Sequence, residues 1–392
     1  MGEWLSIIGI GEDGPDGLSA ASLRALTAAE VVFGGSRHLG LIDHPQRRPW
    51  PIPFSIEPVL MLRGRQVAVL ASGDPFWHGA GGVLTARLER GEWRAFPAPS
   101  AMALAAARLG WREEETLRVG LHAAPLHSLR RHLAPGLRAI VTLRDGTSAG
   151  ELAQWLAAEG FGDTRLTLME RLGGSSERIR VTTAADFALT GVDPLVIAAL
   201  EIAGDGPVIP RCSGVPDDLF DHDGQITKRP VRALALSALA PRRGEMLWDI
   251  GAGSGSIGIE RMLCDPTTRC IAIERDPGRA LRCQTNAARL GVGLDVRAGA
   301  AQDMLATLCD PDAVFVGGGA DAELLDMLWK RLPRGVRLVI HAVTLETEAL
   351  LSVWHRDHGG NLMRVELSEA RPLGRKRGWK SSYPVVQWSV TR

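Results

Sequence analysis

The chain lacks a surplus of either charge: Lys plus Arg and Asp plus Glu each total 45 in 392 residues, so the formal net charge is zero. A general polyanion binder carries a basic excess, so no nucleic-acid partner is expected, although a local basic pocket is compatible with this balance. No apolar run approaches the roughly 20 residues that span a bilayer, which disfavours a membrane partner. The N-terminus, MGEWLSIIGIGEDG, has no basic leader region and no small-residue cleavage site, so a signal peptide is not expected and the setting reads as cytoplasmic. The five cysteines (Cys212, Cys264, Cys270, Cys283 and Cys309) form no CxxC and stand beside no HxxxH. They read as small reduced core residues, with neither a disulfide frame nor a metal site. Tyrosine is nearly absent, Tyr383 alone against eleven Trp and eight Phe, and that skew has no functional reading.

What is present is length enough for two or three domains, and glycine and proline (45 and 23) dispersed as tight βα turns would require. Strand-like runs at Trp4–Ile10, Gln66–Ala71 and Leu137–Leu143 alternate with helical stretches at Ser19–Ala29, Leu84–Arg90, Ala101–Leu109 and Ala149–Glu159. After Gly204–Pro230, rich in Gly, Pro and Asp, the alternation restarts. Helices are expected at Val231–Leu239, Ile257–Cys264 and Pro277–Leu290, and strands at Met246–Ile250, Cys270–Glu274, Ala313–Val316 and Val336–Ala342. Such alternation predicts parallel α/β sheets in two unlike units, residues 1–204 and 231–392, joined by a linker at 205–230.

The sharper motif lies in the second unit. LWDIGAGSGSIGIE, Leu247 to Glu260, is a strand, a turn with Gly251, Gly253 and Gly255, and an amphipathic helix. Glycines let the backbone approach a ligand, and the helix N-terminus offers free N–H groups. The next strand ends in Glu274, placed to hydrogen-bond ribose hydroxyls. GxGxxG is not met, because Ser256 stands at the third glycine position, and the Lys of a P-loop is absent. The DxGxGxG form led by Asp249 instead resembles motif I of the class I S-adenosylmethionine-dependent methyltransferases. The place where nucleic-acid amino-methyltransferases carry (D/N)PP(Y/F) reads DAVFVGGGAD. VPDDLF, QITKRPVRAL, WDIGAGSGSIGIE, AIERDPGRA and VFVGGG, in that order, resemble the decarboxylating precorrin C15-methyltransferases. That resemblance implies cofactor contacts from Thr227, Gly251, Ala252, Gly253, Ser254 and Gly255, ribose binding by Glu274, and Ala301 beside the adenine. In the tail, Arg371, Arg375, Lys376, Arg377 and Lys380 concentrate positive charge suited to substrate carboxylates, unless they form only a solvated loop.

In the first unit IGIGEDG, FGGSRHL, ASGDPFWHG, APSA and ARLGW resemble the tetrapyrrole methylases (class III fold), specifically the precorrin C5-methyltransferase branch. Carried over by position, Gly73, Asp74, Trp77, Ser100, Ala101 and Leu143 are cofactor-side candidates. The first glycine turn, with Gly9 and Gly11, and His122 are substrate-side candidates. Relatives often read Ser-Leu-His-Gly-Arg where this chain has VGLHAAP, so His122 is kept and Gly-Arg becomes Ala123-Ala124. His38, His78 and His122 are acid–base candidates, although a lone histidine is more often a structural hydrogen bonder, and no catalytic residue is assigned.

Together the motifs resemble the bifunctional C5,15-methyltransferase fusions of cobalamin biosynthesis. The fold implied is α/β: a two-lobed tetrapyrrole methylase followed by a Rossmann-like class I methyltransferase. The activity implied is S-adenosylmethionine-dependent methylation of a precorrin at C5 and C15 with loss of the ring C acetate carboxyl, by a homo-oligomer. A cobalt-bearing substrate, rRNA methylation, a dehydrogenase and a tetrapyrrole carrier are the alternatives.

Overall fold

The computed structural model describes residues 2–392. Two compact units divide the chain: Met1–Leu126 with Leu133–Pro207, and His127–His132 with Val208–Arg392.

The first unit holds two sheets. The first contains β1 (Leu5–Ile10), β2 (Val31–Gly34), β3 (Arg47–Pro49), β4 (Val67–Ser72) and β5 (Trp93–Phe96), all parallel in the order β3-β2-β4-β1-β5. Ile7, Ile8, Val67, Val69 and Leu70 are buried, as expected where helices cover both faces of a parallel sheet. Ser100 accepts the Ala103 N–H (3.1 Å) and starts the helix Ala101–Leu109, which ends on Gly110 in the left-handed conformation. The helix expected at Leu84–Arg90 lies instead at Ala80–Thr85. The reason is Glu92, whose buried carboxylate accepts the Trp4 Nε1–H (3.0 Å) and the Glu89 N–H (2.9 Å), turning the chain toward β5.

The second sheet departs from the expected parallel arrangement. It comprises β6 (Leu117–Gly120), β7 (Arg138–Thr142), β8 (Arg165–Glu170), β9 (Arg178–Thr183) and β10 (Val196–Glu201), ordered β6-β7-β10-β8-β9. Only β6 and β7 pair in parallel. No helix separates β8 from β9, so they close directly as a hairpin.

In the second unit β11 (Met246–Ile250), β12 (Arg269–Glu274), β13 (Asp295–Ala298), β14 (Ala313–Val316) and β15 (Arg337–Ala342) are parallel. Four further strands follow: β16 (Asn361–Val365), β17 (Ser368–Leu373), β18 (Lys376–Ser381) and β19 (Val385–Thr391). The main sheet runs β13-β12-β11-β14-β15-β19-β16, with β19 antiparallel to both neighbours, while β17 and β18 pair only with each other. Cys270 and Cys283 are buried, but Cys212, Cys264 and Cys309 are exposed, so the core reading fits two of the five, all of which are free thiols.

The segment before the helix Arg229–Leu239 is pinned by a buried charge pair. Arg232 donates from Nε to Glu260 Oε2 (2.6 Å) and from its Nη atoms to Asp217 Oδ1 (2.9 Å), the Thr227 carbonyl (2.6 Å) and the Val215 carbonyl. Glu260 also accepts the N–H groups of Gly214 and Val215. Removing one partner of such a pair strands the other charge in the interior. Glu260→Ala is therefore expected to cost the second unit about 3–5 kcal/mol in urea unfolding of the full chain, whereas Arg371→Ala on the exposed β17 changes it by less than about 0.5 kcal/mol. Similar losses for the two variants would overturn this account.

Candidate cofactor and substrate crevices

In the first unit the crevice forms where β1, β4 and β5 end together. A Cβ on Gly9 would stand 1.8 Å from the Gly73 carbonyl oxygen, and one on Gly73 would stand 2.7 Å from Ser100 Cα. Gly73 has φ +53°, and its carbonyl accepts the Ala98 N–H (3.0 Å). The structure thus brings Gly73, Asp74, Ser100 and Ala101 to one edge, and gives Gly9 a packing role inside it. Gly11 is closed over by its neighbour, since a Cβ there would meet Asp13 Oδ1 at 2.5 Å. Asp74 Oδ1 accepts the Phe76 N–H (2.9 Å), shaping the loop that carries Trp77. Trp77 is exposed and lies under the Arg118 guanidinium, 5.9 Å away. Leu143 is buried just beyond β7.

Two histidine groups stand at this edge. His38 Nε2 lies 2.6 Å from an Arg37 guanidinium nitrogen and 2.9 Å from Ser72 Oγ. Burial, reinforced by the Arg37 charge, lowers its pKa to about 4, so it is neutral at neutral pH. Arg37 also pairs with Glu12, which reaches Arg171 (3.5 Å) at the end of β8 and so ties the two sheets together. His122 Nδ1 lies 2.9 Å from Thr142 Oγ1, and its ring meets His78 edge to face at 5.2 Å.

In the second unit strand order reverses between β11 and β14, the crevice where open α/β sheets receive ligands. Gly251, Gly253 and Gly255 all take positive φ, and a Cβ on Gly253 or Gly318 would meet nothing within 4 Å, so the loop opens onto free space. Ser254 is buried. Glu274 Oε2 accepts the Gly253 N–H (2.8 Å) and Oε1 accepts the Asp276 N–H (2.9 Å), which fixes the carboxylate beside the loop. Ala252 sits in that loop, and its N–H bonds the Ile273 carbonyl (3.1 Å). Ala301 is buried after β13, and Thr227 is held through its carbonyl by Arg232.

Asn286 had no sequence signal as an isolated helix residue. It is fully buried, and its amide nitrogen donates to the carbonyls of Ser254 and Asp221 (both 2.9 Å), stitching the glycine loop to the 217–227 segment. Asp249 Oδ2 accepts the Gly258 N–H (3.0 Å), while its other oxygen is buried without a partner. Burial pushes this carboxyl up to about 7, with a further push from Glu274 and an opposing pull from the Gly258 N–H.

Arg371, Arg375 and Arg377 occupy the exposed β17–β18 hairpin, where Arg371 pairs with Glu369. Among the described residues no group of His, Cys, Asp and Glu is arranged to hold a metal ion, and no helix is long and apolar enough to cross a membrane.

Residues 5–188 match the tetrapyrrole (corrin/porphyrin) methylases, and residues 218–392 match the precorrin methyltransferase domain. A Sinorhizobium protein named precorrin-6Y C(5,15)-methyltransferase [decarboxylating] is 47% identical, over 99% of this chain and 96% of its own length. The chain belongs to that family. A Mycobacterium tuberculosis member is 40% identical over 98% of this chain and 99% of its own length. The crystal structure of a C-terminal domain from a Rhodobacter capsulatus member is 48% identical, covering 47% of this chain and all of that domain, with a TM-score of 0.46.

Family membership makes the chain a methyltransferase with two methylase units, and the titration of Asp249 can be checked directly. A carboxyl with a raised native pKa binds more protons folded than unfolded, so its contribution to stability falls as pH rises from its ordinary 3.8 to about 7. Replacing Asp249 by Asn is expected to remove that decline, so the wild-type-minus-variant difference in unfolding free energy of the second unit slopes downward over this window. A difference flat with pH would refute it.

Proposed function

We propose that each unit binds S-adenosylmethionine, that the first methylates precorrin-6Y at C5, and that the second methylates C15 and removes the ring C acetate carboxyl as carbon dioxide, giving precorrin-8. The observation that carries this reading is the glycine-built crevice at the carboxyl edge of a parallel sheet in each unit, in a chain similar over its whole length to the two relatives. When bound, S-adenosylmethionine supplies an electrophilic methyl group for in-line displacement by an electron-rich meso carbon.

The chain's part is to bind, orient and keep water away. Glu274 is fixed by two N–H groups, and each oxygen keeps a second lone pair for a ribose hydroxyl. Gly253 and Gly318 leave the space a nucleoside would fill, and Ala301 offers an apolar wall beside it. In the first unit the side chains of Asp74 and Ser100 serve their own loop and helix, which leaves main-chain groups and the exposed Trp77 to meet the ligand. Arg371, Arg375 and Arg377 are suited to substrate carboxylates as forked guanidinium groups. We place the chain in the cytoplasm as a homo-oligomer, a state that light scattering of a purely monomeric species would refute.

Titration of S-adenosylhomocysteine into the full chain should show two sites, and Gly253→Val, which puts a branched side chain into the open space, should leave one. A single site in the wild type would overturn the reading for one unit, and none would overturn it for both. Mass spectrometry of metal-free precorrin-6Y after turnover should show two methyl groups gained and carbon dioxide lost. Turnover restricted to a cobalt-bearing precorrin would replace the substrate assignment.

A further inference from the structure

We propose that His122 accepts the proton released when C5 is methylated, and that Thr142 and His78 position it for that step. This rests on the assignment of C5 methylation to the first unit. His122 follows β6, is exposed, and lies 2.9 Å through Nδ1 from Thr142 Oγ1 at the end of β7. With Nδ1–H donated to Thr142, the lone pair of Nε2 is free. Its other neighbour, His78, comes from the loop after β4 on the opposite sheet, directly after Trp77.

Two local compromises create this one contact. His78 adopts φ +51°, a left-handed conformation that residues with a Cβ rarely take. At Gly120 a Cβ would stand 2.9 Å from His78 Nε2 and 3.2 Å from His122 Cε1, so a side chain there would push the two rings apart. Backbone outliers held by their surroundings gather at functional sites, and the His78 backbone here serves two exposed imidazoles rather than a buried core. The pair sits between Trp77 and Thr142-Leu143, the elements expected to carry the cofactor.

Among the described residues, the charged group acting on His122 is His78, and beyond it Arg118 lies over Trp77 and is paired with Glu113 (2.8 Å). Burial and then the His78 charge lower the His122 pKa from its ordinary 6.5, so the ring is neutral and able to accept at neutral pH. In the step itself, the enamine electron pair of C5 forms the new C–CH3 bond. The S–CH3 bond breaks with its pair left on sulfur as a thioether. The C5–H pair returns to the ring while its proton passes to His122 Nε2 and then to solvent.

The test measures C5 methyl incorporation by the full chain from a 13C-labelled methyl donor, as a function of pH. His122→Gln is expected to lower it on the order of 100-fold, with two-site S-adenosylhomocysteine binding unchanged. His78→Gln, which removes the neighbouring charge, should move the acidic limb of the profile upward, toward the ordinary histidine value. Thr142→Val should lower kcat more than it changes KM, and Thr142→Ser should restore it. His122→Gln retaining C5 methylation within about threefold of wild type, far below the usual range of acid–base effects, would overturn the proposal. So would an unmoved acidic limb in His78→Gln. A wild-type chain that never methylates C5 would overturn the underlying assignment and the proposal with it, whereas effects confined to the variants concern the histidines alone.

Discussion

Main chain approaching main chain at the carboxyl edge of a parallel sheet is the contact on which each unit's crevice depends. Gly9 and Gly73 bring β1 and the loop after β4 closer than any side chain allows, and Gly73 in turn lies against Ser100. In the second unit a Cβ on Gly317 would lie 3.1 Å from the Gly251 carbonyl oxygen, and one on Gly251 would lie 3.3 Å from that of Gly318. The glycines of the two units therefore divide by role. Some exist so that strand exits can pack against each other, and others, such as Gly253 and Gly318, face open space and leave room for a ligand. Equal spacing in sequence does not distinguish these roles, because it records the turn and not what the turn faces.

Around the second crevice the interior is unusually polar. Arg232 and Glu260 are buried together, Arg232 with two main-chain carbonyl partners and Glu260 with two main-chain N–H partners, and Arg261 and Arg337 share Glu245 at the opposite edge of the sheet (3.2 and 2.5 Å). Buried pairs of this kind contribute little net stability over an apolar replacement, because desolvation offsets the attraction. Their consequence is positional. Glu260 leaves one placement for residues 214–227, and Asn286 fixes the glycine loop against the same segment. Asp249 differs in having a single N–H partner, and the low-dielectric surroundings resolve that by favouring its neutral form.

Much of this was legible beforehand. Periodicity located β11, β14 and the helix Ala101–Leu109 to the residue, since each joins an apolar run to an unambiguous cap or turn. The family was legible from ordered motifs. The mixed second sheet was not, because β8, β9 and β10 are short strands, and the direction of β10 is set by β7 and β8, which lie well before it in sequence. Nor was the helix at Ala80–Thr85, displaced by a glutamate whose partner Trp4 lies 88 residues away. Asn286, Arg232 and Glu260 are ordinary helix residues until the chain folds them together. The tryptophan skew acquires a partial physical account: Trp329, Trp354 and Trp388 pack on one another, with Trp388 Nε1–H bonded to the Gly359 carbonyl (2.9 Å).

The basic tail shows how topology supplies what sequence distance hides. β16 is antiparallel to β19, and β19 is antiparallel to β15, so β16 runs in the direction of the parallel strands. Its C-terminal residue Val365 therefore emerges at the carboxyl edge, the edge of the glycine loop, and the β17–β18 hairpin begins there. The hairpin is exposed at every position of β17 and at all but Gly378 of β18, with Leu373 and Trp379 among the exposed residues. Ion pairs in such a setting are screened and add little to stability, which removes the fold itself as the reason for five cations within ten residues, from Arg371 to Lys380, of a neutral chain. Under the proposed function, a multiply carboxylated ligand arriving at the same edge would provide one. Arginine at three of those positions would suit it, since a guanidinium stays charged and can hold a carboxylate through two parallel hydrogen bonds.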